Sequence, residues 1–155
     1  MSPAEARIIR EYIRTIDGIL DKSGIVVDRS ELKKFYNSGI IQAGNLTRKW
    51  DEPNGIRFVD GSYLTFVEKL EVLDGEPIRY LYTYRFVSSD QSLVFRYDRD
   101  NLYGGKDIII RSDGTEFWHP LNHLHFQDQE DPRYKTHGTH LAEILDFIRT
   151  CIIPL

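Results

Sequence analysis

The residues best suited to chemistry in this 155-residue chain are three of its five histidines, which lie close together. The run from His119 to His125 reads HPLNHLH, so His123 and His125 are two residues apart. In an extended strand such residues share a face. That spacing suits two metal ligands or a pair that transfers protons, and ordinary polar packing is the third interpretation. Because Pro120 interrupts the extended pattern, the sequence does not decide whether His119 shares that face.

Glu68 is a second candidate, because it lies within a pattern of alternating apolar residues. Its predicted strand face also carries Leu64, Phe66, Leu70 and Val72. A carboxylate among apolar side chains is costly unless it is paired. Glu68 is therefore a general base or metal ligand with a raised pKa, or it is an ordinary Glu that lies on an edge strand or is paired with Arg79 or Arg96.

Arg96 and Asp98 lie at the end of a predicted strand, where a sheet presents side chains to a cleft. Alternation places both on one face, with Tyr97 on the other. They form either a structural ion pair or part of a catalytic group.

A strand predicted from Ile78 to Val87 alternates tyrosines with arginines. Arg79, Tyr82, Tyr84 and Arg85 are candidates for RNA binding, since tyrosine rings stack on bases and guanidinium groups bind phosphates. The alternative is that the tyrosines belong to the core, with their hydroxyls at its margin.

Two amphipathic helices are expected to frame these strands. The first begins at Pro3 with Ser2 as its cap and ends near Gly24, and the last runs from His137 to Ile153. Two strands are predicted within residues 25–50, followed by a loop at 51–55. Further strands are predicted over residues 56–59, 63–72, 78–87, 93–98, 107–111 and 116–126. Short turns between strands make an antiparallel meander. The sequence thus predicts an α+β domain, a two-layer sandwich of helices on an antiparallel sheet.

Composition excludes several classes of protein. A net charge of −4 and a pI near 5.7 argue against a domain that coats nucleic acid by bulk charge. The single cysteine, Cys151, can form neither an intrachain disulfide nor a thiolate zinc cage. Without a long apolar run or a signal-peptide pattern, we expect a cytoplasmic protein with no membrane partner. The motifs of P-loop, dinucleotide-binding, serine-hydrolase and helical zinc-protease sites are absent.

Four motifs lie in order along about half of the chain. Residues 60–68 read DGSYLTFVE, residues 79–84 read RYLYTY and residues 95–98 read FRYD, followed by the histidine run and a closing helix. They resemble the "DGS, hydrophobic, E" strand, the "RYSYHY" strand, the "FRYD" element and the "PHHKH" cluster of the TumE-like toxins, which belong to bacterial and archaeal toxin-antitoxin pairs.

The resemblance implies a single TumE-like domain over residues 1–155 that arrests growth by attacking RNA or translation. Its implied partner is a helix-turn-helix antitoxin protein, with RNA as the substrate. The positions that match the family's polar motif residues are Glu68, Arg96, Asp98, His123 and His125.

We hypothesise from these positions a metal-independent ribonuclease that needs no cofactor. A histidine or Glu68 takes the proton of the 2′-hydroxyl, Arg96 stabilises charge on the phosphorane, and the other histidine protonates the leaving oxygen. One alternative is a non-catalytic module that binds protein or RNA through the Tyr and Arg residues of its sheet. Another is a metal-dependent nuclease that uses Asp98, His123 and His125, with Glu68 as a further ligand. A homodimer is compatible with all three.

Overall fold

The computed structural model of the chain describes residues 1–47, 54–101, 108–127, 129–130 and 132–153. The helices are α1 (Pro3–Ser23) and α2 (Leu141–Phe147), the latter continued by a π-helical turn at Ile148–Ile152. The strands are β1 (Val26–Asp28), β2 (Leu32–Phe35), β3 (Ile40–Ala43), β4 (Ile56–Phe58), β5 (Tyr63–Leu73), β6 (Glu76–Val87), β7 (Val94–Arg99), β8 (Ile108–Ile110), β9 (Glu116–Trp118), β10 (Asn122–Phe126) and β11 (Tyr134–Lys135).

Helix α1 has the ends that its sequence predicts. The side chain of Ser2 accepts a hydrogen bond from the backbone N–H of Glu5 at 3.1 Å, which satisfies one of the open donors of the first turn. Pro3 occupies the first helical position, and Gly24 ends the helix in the left-handed conformation at φ 71°. The apolar face of the helix is buried, and its buried residues are Ile9, Ile13, Ile16 and Leu20. No helix among the described residues is both long enough and apolar enough to cross a membrane.

The described strands form one antiparallel sheet of nine strands and a separate hairpin of β8 and β9. The main order is β1-β4-β5-β6-β7-β10-β11. Strand β3 pairs with residues 66–69 of β5, and β2 pairs with β3. A two-residue turn joins β5 to β6: Asp74 and Gly75 have φ values of 52° and 77°. Two positive φ values suit the right-handed twist of a hairpin.

Both helices pack on the same face of the sheet, and the core lies between the two layers. It includes Phe66, Tyr84 and Phe86 from the sheet with Ile13 from α1 and Ile144 from α2. The predicted α+β architecture, an antiparallel sheet with helices at both ends of the chain, is confirmed.

Three local predictions differ from the structure. Residues 25–47 hold three strands and not two. The strand predicted at 116–126 is split into β9 and β10, because Pro120 has no N–H to donate to a ladder. The last helix begins at Leu141 and not at His137, since the backbone of Thr139 is held by the Tyr82 hydroxyl at 3.0 Å and by Arg79 at 2.6 Å. Part of the loop predicted at 51–55 and the first residue of the strand predicted at 107–111 lie outside the described residues.

Candidate functional site

The face of the sheet that points away from the helices carries a group of polar side chains. On this face the register sets Asp98 of β7 opposite His123 of β10, and Arg96 opposite His125. Residues directly opposite in neighbouring strands project to the same side. The predicted shared faces, of Arg96 with Asp98 and of His123 with His125, are therefore both present, and the pairing of β7 with β10 brings the two pairs together.

One carboxylate oxygen lies at the centre of this group. Asp98 Oδ2 is 3.2 Å from Nε2 of His125, 3.6 Å from Nε2 of His123 and 2.9 Å from Nε of Arg96. Asp98 is 8% exposed, and each histidine is 1% exposed. We call Asp98, His123 and His125 the His2Asp cluster. Its polar atoms converge on one point and are largely buried.

Backbone carbonyls fix the orientation of both imidazole rings in the cluster. His123 Nδ1 lies 2.6 Å from the carbonyl oxygen of Pro120, and His125 Nδ1 lies 2.8 Å from that of Gln129. A carbonyl oxygen only accepts hydrogen bonds, so each Nδ1 carries a hydrogen and donates it. With Nδ1 used in this way, Nε2 of each ring is the nitrogen left to bind a metal ion or to form a hydrogen bond with the carboxylate, and both Nε2 atoms face Asp98. Ligating histidines usually have this arrangement, with the second ring nitrogen donating to a carbonyl or carboxylate.

Asp98 is an anion in this site at neutral pH. Burial alone would raise its pKa, but the interactions with His123 and His125 and the charge of Arg96 outweigh burial and hold the pKa below its ordinary value. Asp98 Oδ1 is also buried, and it has no hydrogen-bond partner among the described residues. An orphaned anionic oxygen in a buried site requires an explanation.

A second triad adjoins the cluster and shares His123 with it. The rings of His119 and His123 are 4.9 Å apart, and His119 Nε2 lies 3.7 Å from Asp100 Oδ2. In each triad, Asp98-His123-His125 and Asp100-His119-His123, one ligand atom per residue falls within 4.8 Å of the others. Burial lowers the pKa of His119 by more than the nearby Asp100 raises it, which favours the neutral ring.

This arrangement is suited to a cation. Two neutral imidazole nitrogens and a carboxylate oxygen are donors that zinc, manganese and iron accept in proteins. An anion such as a phosphate would meet Asp98 in the space between the two rings, where its charge is repelled. The donor set, the fixed ring orientations and the orphaned Oδ1 thus all fit a divalent metal ion.

Glu68 does not belong to this group. It pairs with Tyr82 in the register of β5 and β6, and it projects from the opposite, helix-covered face. There it is 0% exposed and accepts a hydrogen bond of 2.5 Å from the hydroxyl of Tyr12, with Arg79 Nε at 4.0 Å. Burial raises the pKa of Glu68 by more than Tyr12 and Arg79 lower it. The sheet separates this carboxyl from the cluster, so Glu68 cannot act as base or ligand there.

The four residues predicted to bind RNA are also divided by the sheet. The rings of Tyr82 and Tyr84 lie buried in the core and present no face on which a base stacks. Arg79 is occupied beside them, since its NH1 group donates to the Tyr84 hydroxyl at 2.8 Å and to the Thr139 carbonyl at 2.6 Å. Only Arg85 lies on the face of the His2Asp cluster, where it is directly opposite Arg96. The tyrosines therefore belong to the core and do not form the expected surface with the arginines. Tyrosines in strands are often part of the core.

Sequence reasoning missed Asp100, Tyr12 and the two backbone carbonyls of the site. The spacing of Asp98 and Asp100 was a usable signal, because residues two apart in a strand share a face. A side-chain pattern cannot reveal the carbonyls of Pro120 and Gln129, and the hydrogen bond between Tyr12 and Glu68 requires the packing of α1 on the sheet.

Comparisons with protein-family models, curated proteins and solved structures find no match to this chain. Its function has to be inferred from the site.

Proposed function

We propose that this protein is a metal-dependent ribonuclease whose metal ion is held by Asp98, His123 and His125. The observation that carries the proposal is the pair of histidines whose Nδ1 atoms donate to backbone carbonyls, so that both Nε2 atoms face the same carboxylate. Asp98, His123 and His125 would hold a divalent ion there, and such an ion would supply Lewis-acid polarisation of a phosphoryl oxygen.

The same geometry disfavours the metal-independent alternative. Two histidines that act as acid and base need the phosphate between them, with one ring on each side of the scissile bond. In this protein Asp98 is within 3.6 Å of both Nε2 atoms and is itself anionic. The position between the rings therefore accepts a positive charge better than a negative one.

RNA is the substrate class that the TumE-like motifs imply, and the arginines next to the cluster are compatible with it. Cleavage forms a bond from an attacking oxygen to phosphorus, breaks the bond from phosphorus to the leaving oxygen, and moves one proton from the first oxygen to the second. The attacking oxygen belongs to water or to the 2′-hydroxyl. Attack by the 2′-hydroxyl leaves a 2′,3′-cyclic phosphate and attack by water does not, so the chemical ends of the RNA products distinguish the two mechanisms.

The motif resemblance also gives the biological role that we propose: the toxin of a toxin-antitoxin pair, held inactive in the cytoplasm by a helix-turn-helix antitoxin. Induced expression in a bacterial host tests this role. Wild-type protein is expected to arrest growth and degrade RNA, and the double variant His123→Ala, His125→Ala is expected to do neither. Continued growth arrest by the double variant would place the toxic chemistry elsewhere.

The metal is tested on purified protein with bound metal measured by elemental analysis and RNA cleavage measured on a labelled strand. Chelator is expected to remove cleavage, and Mn²⁺ or Zn²⁺ to restore it. The informative variant is His125→Asn, because the Asn side-chain N–H replaces the Nδ1 donor to Gln129 while the Nε2 ligand is lost. Metal affinity should fall by more than about 100-fold, since loss of an outer partner alone costs roughly 10–100-fold.

The matched control is His137→Asn, which changes an exposed histidine that pairs with Glu143 at 2.9 Å, away from the cluster. It should bind metal and cleave RNA as wild type does. If wild type cleaves RNA fully in the presence of chelator and folded His125→Asn does not cleave it, the metal-dependent mechanism is refuted and the acid-base mechanism is favoured. Undiminished metal binding by folded His125→Asn would refute the assigned ligands.

A further inference from the structure

We propose that Arg85 and Arg96 form a phosphate subsite next to the His2Asp cluster, which receives a phosphate of the RNA substrate. This inference rests on the proposed function for the identity of the substrate. It assigns a role to Arg85, which neither the cluster nor the metal requires.

The register of the sheet sets the two arginines side by side. Arg85 of β6 is directly opposite Arg96 of β7, and both project from the face that carries the cluster. Like charges directly opposite on neighbouring strands repel each other. An oxyanion between them is attracted by both, and two arginines offer the forked donors that match phosphate oxygens.

Both arginines are held in place by neighbouring groups. Arg85 is buried, and its NH1 group donates to the carbonyl of Leu46 at 3.2 Å. Arg96 is bound through Nε to Asp98 at 2.9 Å, and its NH2 group lies 3.6 Å from Glu130. Arginines that are already ordered lose little conformational entropy when they bind a ligand.

A cavity lies where these side chains meet. It has a volume of about 270 Å³ and is lined by Leu46, Thr83, Arg85, Arg96 and Asp98. The lining thus carries two cations, one hydroxyl and the carboxylate of the cluster. Sites for whole drug-sized ligands usually measure roughly 300–1,000 Å³. The cavity is therefore large enough for one phosphate with its sugar. Because Asp98 also lines it, a phosphate held by the two arginines would lie next to the metal position.

The probe for this subsite is inorganic phosphate, titrated into metal-free protein at constant ionic strength with chloride as the reference anion. Binding is followed by calorimetry. Wild type is expected to bind phosphate in preference to chloride. In Arg85→Met, which keeps a long apolar side chain and removes the charge, the dissociation constant should rise at least about tenfold.

The control is Arg99→Met, which removes an arginine from the same strand as Arg96 but from the opposite face, where Arg99 pairs with Tyr82. Its phosphate affinity should stay within about twofold of wild type. Near-UV circular dichroism checks the fold of each variant. If Arg85→Met does not fold, Arg85→Lys replaces it, because Lys keeps the charge and loses the forked donor; a several-fold weaker affinity is then expected.

No preference of wild type for phosphate over chloride would overturn the subsite, as would wild-type affinity in a folded Arg85 variant. Metal binding is measured on the same samples. Intact metal binding without phosphate binding would refute the subsite alone, and phosphate binding without metal binding would refute the proposed function alone.

Discussion

Replacing Glu68 by Gln should make the protein more stable relative to wild type as pH rises. The carboxyl is buried against α1, one of its oxygens accepts from Tyr12, and Oε2 has no hydrogen-bond partner among the described residues. Burial raises its pKa above the ordinary value of 4.5. Gln keeps the acceptor for Tyr12 and cannot ionise.

The difference in proton binding between the folded and unfolded states gives the sign and the size of this change in stability. Above pH 4.5 the unfolded chain loses the Glu68 proton while the folded protein keeps it, until pH passes the folded-state pKa. The stability of wild type therefore falls across this window, by at most about 1.4 kcal/mol per pH unit for one group. Glu68→Gln lacks this loss, so the difference in unfolding free energy between variant and wild type should grow with pH at up to that slope.

Urea unfolding of both proteins between pH 4 and pH 8, followed by tryptophan fluorescence, measures the difference. A variant less stable than wild type by a constant 3–5 kcal/mol or so would refute the reasoning, because that is the cost of breaking an ionised buried pair with Arg79. RNA cleavage is a second measurement. Glu68→Gln should keep it, and loss of cleavage with fold and metal intact would contradict the separation of Glu68 from the cluster.

Two further substitutions test the packing around the sheet. Tyr12→Phe removes the hydroxyl that donates to Glu68, so urea unfolding should show a loss of about 1–3 kcal/mol with unchanged metal binding; unchanged stability would contradict the hydrogen bond. Gly55→Ala should cost at least about 2 kcal/mol, because φ is 97° and the new Cβ would lie 2.2 Å from the carbonyl oxygen of Leu64. Gly75→Ala is its control, with φ 77° and open space around the Cβ, and should cost about 1 kcal/mol. Equal costs would refute the close approach at Gly55.

Alternation within a strand was enough to predict which neighbours share a face. It placed Arg96 with Asp98 and His123 with His125, and the structure agrees. Which face of the sheet a strand presents to the helices depends on register, and register depends on pairings that one sequence does not reveal. Glu68 was grouped with the histidines because these positions match the TumE-like motifs, although it lies on the other face.

Local signals worked best where the backbone itself is constrained. Ser2, Pro3 and Gly24 predicted the ends of α1 correctly. The start of α2 was misplaced because Tyr82 and Arg79 form hydrogen bonds with the backbone of Thr139, just before the helix. Those contacts join residues more than 50 positions apart, so no local pattern contains them.

The pairing of β7 with β10 has a consequence for the order in which the molecule folds. The β5-β6 and β6-β7 hairpins close through short turns, whereas β7 ends at Arg99 and β10 begins only at Asn122. Closing a long loop costs more chain entropy than closing a tight turn, so we expect the cluster to assemble after the rate-limiting step. A bound metal ion should then slow unfolding and leave the refolding rate nearly unchanged. Stopped-flow measurements with and without metal would detect this asymmetry, and a metal-accelerated refolding rate would place the cluster in the folding nucleus instead.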